Sequence, residues 1–410
     1  MNIQNVVDNK LCLGCGICSY DKNVSKIIYS KKRGQNIPLL DAKLEYEIAN
    51  QICPAIGYKI VSEGKRLYPD VKYSLELGRF LEHYAGHSVD NTVLSKASSG
   101  GLITEFLLYI LAHGIVDKVA VTKFIYTENG PLTKTFLTSD IDAILESQGS
   151  KYCPVDISEF IREIESVNCK IAYVGTPCNI AGIRNIQRID SRINDNIVLT
   201  ISNFCGGFKS FNQVRKIALR HDIDYAKISF LRYRGGGQPG SMLLKDNKGG
   251  IFTASYKKYG GFTGYNKHLR CHLCVDATGE LADISFGDAW LEKYKNSEYP
   301  WSVILIRTVH ALNIINAMKN ENRIVLEEIT INEVCLSQRQ NINSKKYRQF
   351  TRFKLYKFLG YLLPSFDGGY KLEKTPMYTE VKVFFIHKTK ECLEKIGLYR
   401  LFRYIIRKDI

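Results

Sequence analysis

The feature that most constrains this chain is a run of cysteines near its start. Cys12, Cys15 and Cys18 follow the pattern C-x2-C-x2-C, and Cys53-Pro54 stands further on. Three thiols at this spacing wrap one corner of a cubane, because each pair brings two thiolates to a shared metal face. Gly14 and Gly16 let the backbone turn tightly and aim N–H groups at the cluster sulfurs. One such run plus one remote Cys-Pro supplies four thiolates, the number that a single 4Fe–4S cluster takes. A structural zinc site is the rival reading, but zinc favours two separated C-x2-C pairs over a triplet with a distant partner. Cys153-Pro154 competes with Cys53 for the fourth place; Cys53 is preferred because it lies within the same short module.

The redox compartment follows from what the chain lacks. Its first eight residues have neither a basic nor an apolar region of a secretory signal. The most apolar stretch, Gly101–Ala112, carries Glu105 and falls short of the roughly 18 residues a membrane span needs. The expectation is a cytoplasmic protein, in which clustered cysteines serve metals rather than disulfides.

Along the chain the pattern predicts an α/β (α+β) protein. Residues 1–62 are expected to form a metal-organised module, and a linker with Gly64 and Pro69 follows it. From about 75 to 325 helical and strand patterns alternate: a helix over Gly101–His113, a strand over Val116–Thr122, a helix over Glu159–Val167, and strands over Lys170–Gly175 and Ile197–Ser202. Two of these strands run into Gly-rich loops, where α/β sheets place their sites. The formal net charge is +16, and residues 343–410 hold eleven Lys and five Arg against two Asp and four Glu. The excess basicity thus reads as a helical C-terminal extension, 340–410, separate from the redox body. Its helical stretches, Lys345–Leu359 and Lys388–Arg407, interleave basic and apolar residues. They suit packing on the core, peripheral contact with an anionic membrane, or a protein partner. No nucleic-acid-reading motif accompanies the charge.

Four further cysteines sit in suggestive places: Cys178 and Cys205 after the two strands, and Cys271 and Cys274 as a C-x2-C pair. Spacing alone leaves a second cluster, a zinc site or unrelated core thiols open. Cys169, Cys335 and Cys392 are isolated and read as incidental, and His272, inside the C-x2-C, as either cluster-tuning or loop-lining. Ser98, Ser99, Gly100 and Gly101, at the start of a helical pattern, could present N–H groups and hydroxyls to a phosphate, as could an ordinary helix cap.

Several segments together carry a resemblance: Lys96–Thr104, Gly149–Tyr152, Gly175–Arg184, Phe204–Gly207, Phe230–Arg234, Cys271–Cys274 and Ala282–Trp290. In order and spacing the chain resembles the coenzyme F420 hydrogenase/dehydrogenase beta subunit family, which includes 7-hydroxymethyl chlorophyll a reductase. The resemblance implies an iron–sulfur flavoprotein oxidoreductase with FAD in the α/β core and two 4Fe–4S clusters. One would be held by Cys12, Cys15, Cys18 and Cys53 in a ferredoxin-like module, the other by Cys178, Cys205, Cys271 and Cys274 near the flavin. Ser98, Ser99, Gly100, Gly101, Thr104, Lys151, Gly175, Thr176 and Asn179 match positions expected near FAD, and Lys151 could neutralise a phosphate or a reduced flavin. Asp283 and Asp288 could relay protons or be structural.

The Arg234–Gly240 segment and Cys153 depart from the family pattern, so no substrate carries over. The implied flow runs from a ferredoxin-like donor through both clusters to FAD and a small organic substrate, with cell-surface polysaccharide biosynthesis as the expected setting. The alternatives are a coenzyme F420 reductase or dehydrogenase beta subunit, and an electron-transfer adaptor without its own substrate. A homo-oligomer is compatible with any of these, and a zinc-stabilised scaffold is the non-redox rival.

Overall fold

A computed structural model describes residues 1–237, 239–256 and 267–395. The centre is an eight-stranded mixed sheet of β1 (Glu82–Ser88), β2 (Lys118–Thr127), β3 (Gly130–Thr138), β4 (Ile171–Gly175), β5 (Ile197–Asn203), β6 (Ile284–Asp288), β7 (Ser302–Ile306) and β8 (Ile324–Glu327). Its order is β8-β1-β7-β6-β5-β4-β2-β3. The four middle strands β6, β5, β4 and β2 run parallel, and the flanking pairs are antiparallel. Strands such as Ile197–Asn203 and Ser302–Ile306 are almost continuously buried, as expected where both faces of a sheet are covered.

Each face has its own core. On one, helices Leu102–Ala112 and Val309–Asn320 bury Phe106, Ile110, Ile314 and Ile315 against Ile201, Ile284 and Ile304. On the other, helix Pro177–Ile189 buries Ile180, Ile183 and Ile186 beside Tyr173 and Ile171, and Ile17, Ile52, Tyr58 and Ile60 of the N-terminal segment join the same cluster. Gly182 permits that close approach: a Cβ there would stand 2.2 Å from Ile17 Cδ1. A small antiparallel sheet of Ile228–Arg232, Ser241–Asp246 and Ile251–Ser255 packs around Phe211, Val214 and Cys153.

The expected helix over Gly101–His113 and the strands over Lys170–Gly175 and Ile197–Ser202 match the observed elements to within one residue at each end. The strand expected to end at Thr122 continues to Thr127, the expected helix Glu159–Val167 is the shorter Ser158–Glu163, and strand Gly130–Thr138 and helix Pro177–Ile189 had not been anticipated. The expected linker differs more. Residues Ile60–Leu67 form a helix, because Ile60 and the Gly64 face turn inward onto the core.

The C-terminal segment also differs. It passes from helix Arg339–Ile342 through a π-helical turn, Asn343–Tyr347, into helix Gln349–Phe358, and later into helix Met377–Lys395. Lys345, Lys346, Gln349, Thr351 and Arg352 are buried, and Leu355 and Tyr356 pack with Cys12, Cys53 and Leu273. The expectation that this basic segment lies apart from the cysteines is therefore wrong. Glu380 pairs with Arg348 and Arg352, and Glu280 with Lys346, so partners distant in sequence carry these charges inside. The second predicted tail helix lies outside the described residues beyond Lys395. No described helix is long and apolar enough to cross a membrane.

Candidate functional site

The first four cysteines face one another. Cys12, Gly14, Cys15, Gly16, Cys18, Cys53 and Pro54 line an apolar recess with about 380 Å³ of atom-free space, part of it open to solvent. Gly16 adopts φ 74°, and a Cβ on it would meet Asp156 Oδ1 at 2.5 Å, so only glycine fits this turn. Gln35 Nε2 donates to Cys12 O at 2.6 Å and Ile157 N to Cys15 O at 2.9 Å, anchoring the loop to its surroundings. Burial pushes the Cys12 thiol up to about 12 and those of Cys15 and Cys18 well above their ordinary value; neighbouring thiolates add to the rise. Four thiolates can share this recess only if cations compensate them. Cys153, the rival for the fourth place, sits elsewhere, among Phe211, Val214 and Tyr233.

The second four also come together, at the C-terminal ends of the parallel strands. Cys178 opens the helix that follows β4, with Pro177 in its first turn, and Cys205 follows β5. Cys271 and Cys274 lie in and after the short helix Leu269–His272. Charges on Cys205, Cys271 and Cys274 all act on Cys178, whose thiol burial pushes up to about 12, and burial raises Cys271 to about 11. Cys274 moves the other way: burial would raise its pKa, but the Lys345 ammonium and the Arg270 guanidinium outweigh that and lower it. Lys345 Nζ lies 3.6 Å from Cys274 Sγ. The two sets are adjacent, because Cys178 acts directly on Cys15.

Among the described residues no three His, Cys, Asp or Glu side chains converge as a single metal ion requires. A cluster of several irons holds its thiolates further apart than one ion does. Three buried donors fit that chemistry: the hydroxyls of Tyr58 and Tyr173 and Asn179 Nδ2 have no hydrogen-bond partner among the described residues. Tyr173 feels Cys15 and Cys178, and Tyr58 feels Cys274 and Cys178. Sulfur is an acceptor that would satisfy such hydroxyls.

The residues assigned by resemblance to the flavin divide into two groups. Gly175, Thr176 and Asn179 lie beside Cys178, with Thr176 Oγ1 3.2 Å from its Sγ. Ser98 contacts a buried arginine to which sequence reasoning had given no role, and Ser99, Gly100, Gly101 and Lys151 belong to the two loops, those of Ser98 and Tyr152, that reach it. Arg234 donates to Ser98 O at 2.5 Å, Tyr152 Oη at 3.1 Å, Pro239 O at 2.9 Å and Asp288 Oδ2 at 2.8 Å. Its guanidinium lies 5.3 Å from the Tyr256 ring and 5.2 Å from that of Trp290. Four of the resembling segments therefore meet at one cation.

Ser98 Oγ accepts from Ser150 N at 3.0 Å, Ser99 Oγ donates to Trp301 O at 2.9 Å, and Gly100 N donates to Ser302 Oγ at 2.9 Å. Gly101 caps helix Leu102–Ala112 at φ 73°, and Thr104 is buried in its first turn. Lys151 is half-buried and donates to Ser147 O at 2.7 Å and Gly149 O at 3.2 Å. Burial lowers its pKa to about 8. The two groups are linked: Gln338 Nε2 donates to Asp288 O at 2.7 Å, and Asn341 Nδ2 bonds Gln338 Oε1 at 3.0 Å. Asn341 in turn lies against Gly206, next to Cys205.

Asp283 accepts from Arg184 at 2.9 Å and from Thr200 N and Oγ1 at 2.8 Å, so the buried arginine and the strand hold it as a structural carboxylate. His272 stacks edge-on against His387, and its carbonyl accepts from Arg352 Nη1 at 3.0 Å, facing the C-terminal segment.

Comparison with known proteins gives a consistent result. The family model described as the coenzyme F420 hydrogenase/dehydrogenase beta subunit N-terminus matches residues 83–162, and that of its C terminus matches 168–332. The chain is 27% identical over 272 residues to a coenzyme F420 hydrogenase subunit beta of Methanococcus voltae, covering 63% of this chain and 88% of that one. It is 22% identical over 344 residues to a coenzyme F420-dependent sulfite reductase of Methanocaldococcus jannaschii, covering 80% of this chain but 49% of that protein. The chain thus spans about half of that relative's length. A chain of the F420-reducing NiFe hydrogenase complex from Methanosarcina barkeri shares the fold with a TM-score of 0.54 at 20% identity, over 70% of this chain and 96% of that one.

Proposed function

We propose, because the chain belongs to the coenzyme F420 hydrogenase/dehydrogenase beta subunit family, that it is an oxidoreductase subunit passing electrons between a protein partner and coenzyme F420. Two 4Fe–4S clusters and an FAD would carry them. The observation behind this reading is the convergence of eight cysteines into two adjacent sets of four, Cys15 beside Cys178, at the C-terminal edge of the parallel strands. The names of the matched relatives favour coenzyme F420 over the polysaccharide setting that the resemblance first suggested, and nothing in them supports the latter.

The clusters would move one electron at a time, and a flavin joins such steps to a two-electron hydride transfer. This chain's residues supply the surroundings. Cys12, Cys15, Cys18 and Cys53 would hold the outer cluster in a mainly apolar recess that is partly open to solvent. Arg270 and Lys345 offset negative charge at the inner set. Arg234 holds the Ser98 loop, Tyr152, Asp288 and the Pro239 loop in one geometry, and Lys151, next to Tyr152 in the chain, offers an ammonium to an anionic cofactor group. A ferredoxin-like donor or a hydrogenase-type protein is the partner this arrangement suits, and a basic chain favours an acidic one.

Anaerobic purification with iron, sulfide and flavin counted together tests the reading. About eight irons and one FAD per chain are expected, with reduction of coenzyme F420 by a chemically reduced sample. Four irons would remove one cysteine set, absence of flavin would refute the oxidoreductase reading, and a loaded protein inert toward coenzyme F420 would favour the adaptor alternative.

A further inference from the structure

We propose that Lys345 sets the reduction potential of the group held by Cys178, Cys205, Cys271 and Cys274, making that set the place where an electron comes to rest. The inference builds on the reading that both cysteine sets carry iron–sulfur clusters and concerns which of them is the easier to reduce.

Lys345 comes from the C-terminal segment, about seventy positions after the cysteines it faces, and is 2% exposed. Its Nζ donates to Asp276 O at 2.5 Å and stands 3.6 Å from Cys274 Sγ. Its charge also acts on Cys205 and Cys271. The π-helical turn Asn343–Tyr347 turns two consecutive lysines inward onto different partners. Lys346 finds Glu280 and Gly369 O, while Lys345 is left to the cysteine set. π-turns of this kind occur frequently at functional sites.

Among the described residues nothing equivalent reaches the other set. Arg33 acts on Cys12 and Arg270 on Cys53, each with less effect than burial and the backbone N–H groups there. Four thiolates around such a cluster leave the site net negative, and reduction adds one more charge. In a dry interior a cation 3.6 Å from a ligand sulfur is little screened, so it favours the reduced form. One electron then passes from the reduced outer set to the oxidised inner set; no bond forms or breaks, and no proton moves. The inner set would keep the electron at the end of the Asn341–Gln338 bridge that leads to Asp288 and Arg234.

The test is an EPR-monitored potentiometric titration of the full chain, purified anaerobically, as wild type and as Lys345→Met, Lys345→Arg and Lys354→Met. Iron and sulfide counts of the wild type come first: a chain without the inner cluster refutes the underlying reading before any potential is measured. With both clusters present, Lys345→Met should shift the inner centre at least tenfold toward its oxidised form, about 59 mV for a one-electron couple. The outer centre should not move. Lys345→Arg should restore most of the shift, and Lys354→Met, which removes the same charge from the exposed side of the same segment, should leave both centres in place. An unshifted inner centre in Lys345→Met, or an equal shift of both, overturns the proposal. If Lys345→Met fails to hold the inner cluster, Lys345→Arg decides. A loaded arginine variant shows that the charge is required, and an empty one shows that only the lysine's shape matters, which also overturns it.

Discussion

Arg270 ties the two cysteine sets together, and its replacement by lysine should loosen both. Its guanidinium is 1% exposed. It donates through Nη2 to Pro54 O at 2.7 Å, through Nε to Ala55 O at 3.0 Å, and through Nη1 to Leu273 O at 3.3 Å. Pro54 and Ala55 follow Cys53, whereas Leu273 lies between Cys271 and Cys274. One planar group therefore spans the loops of both sets, resting against Phe366 with 5.0 Å to the ring centroid. Lysine keeps the charge but has one compact ammonium in place of a rigid fork, and reaches one of these carbonyls well. The other two would be left buried without a donor at about 1–3 kcal/mol each, so the cost should be about 2–6 kcal/mol.

At about 1.4 kcal/mol per tenfold, the middle of that range is a shift of nearly a thousandfold toward loosened loops. Iron release into a chelator under anaerobic conditions, followed by absorbance and by iron per chain, measures it. Both sets in Arg270→Lys should release iron faster and together, whereas Cys15→Ser should remove only the outer set and leave flavin bound. Release unchanged from wild type, or confined to one set, would refute the clamp.

Three further outcomes follow from the same geometry. Arg234→Met leaves Asp288 without its buried partner and frees the Ser98, Tyr152 and Pro239 contacts, so stability should fall by about 3–5 kcal/mol and the purified protein should lose flavin while retaining iron. Lys151 has its pKa lowered from 10.5 to about 8 by burial, so the stability it contributes above pH 10.5 is lost as pH falls through about 8. A bound anionic flavin gains from the same charge, so FAD affinity measured by fluorescence should be level below about pH 8 and fall above it, and Lys151→Met should abolish that dependence. Tyr173→Phe removes a buried hydroxyl that has no hydrogen-bond partner among the described residues and that feels the charges of Cys15 and Cys178. Its fold should hold, while the EPR signals of the two centres should shift; unchanged spectra would show that the hydroxyl does not face the sulfurs.

Part of this site could be read locally. Cys12, Cys15 and Cys18 announce themselves by spacing, because turns of two residues between thiols suit one cluster corner whatever surrounds them. Cys178 and Cys205 were visible as thiols after buried apolar strands, since strand-end loops are where α/β sheets expose chemistry. The order of the strands in the sheet, with β7 and β1 antiparallel beside β6, had no local signature. Arg234 was named in a matching segment but given no role, for a related reason. An arginine in a Gly-rich stretch reads as exposed, and only its partners Ser98, Tyr152 and Asp288, each more than fifty residues away, explain its burial.

The sequence by itself determined the cysteine pattern, much of the alternation of helix and strand, and the family. Which side chains surround the two cysteine sets was decided by tertiary structure. Lysines and arginines are seldom fully buried unless paired, so residues 345–352 read as a solvated basic tail. Only the fold supplies the thiols, carbonyls and carboxylates that let Lys345, Lys346 and Arg352 enter the core. A charge's cost of burial depends on groups brought near it through space, and those partners are not written next to it in the chain.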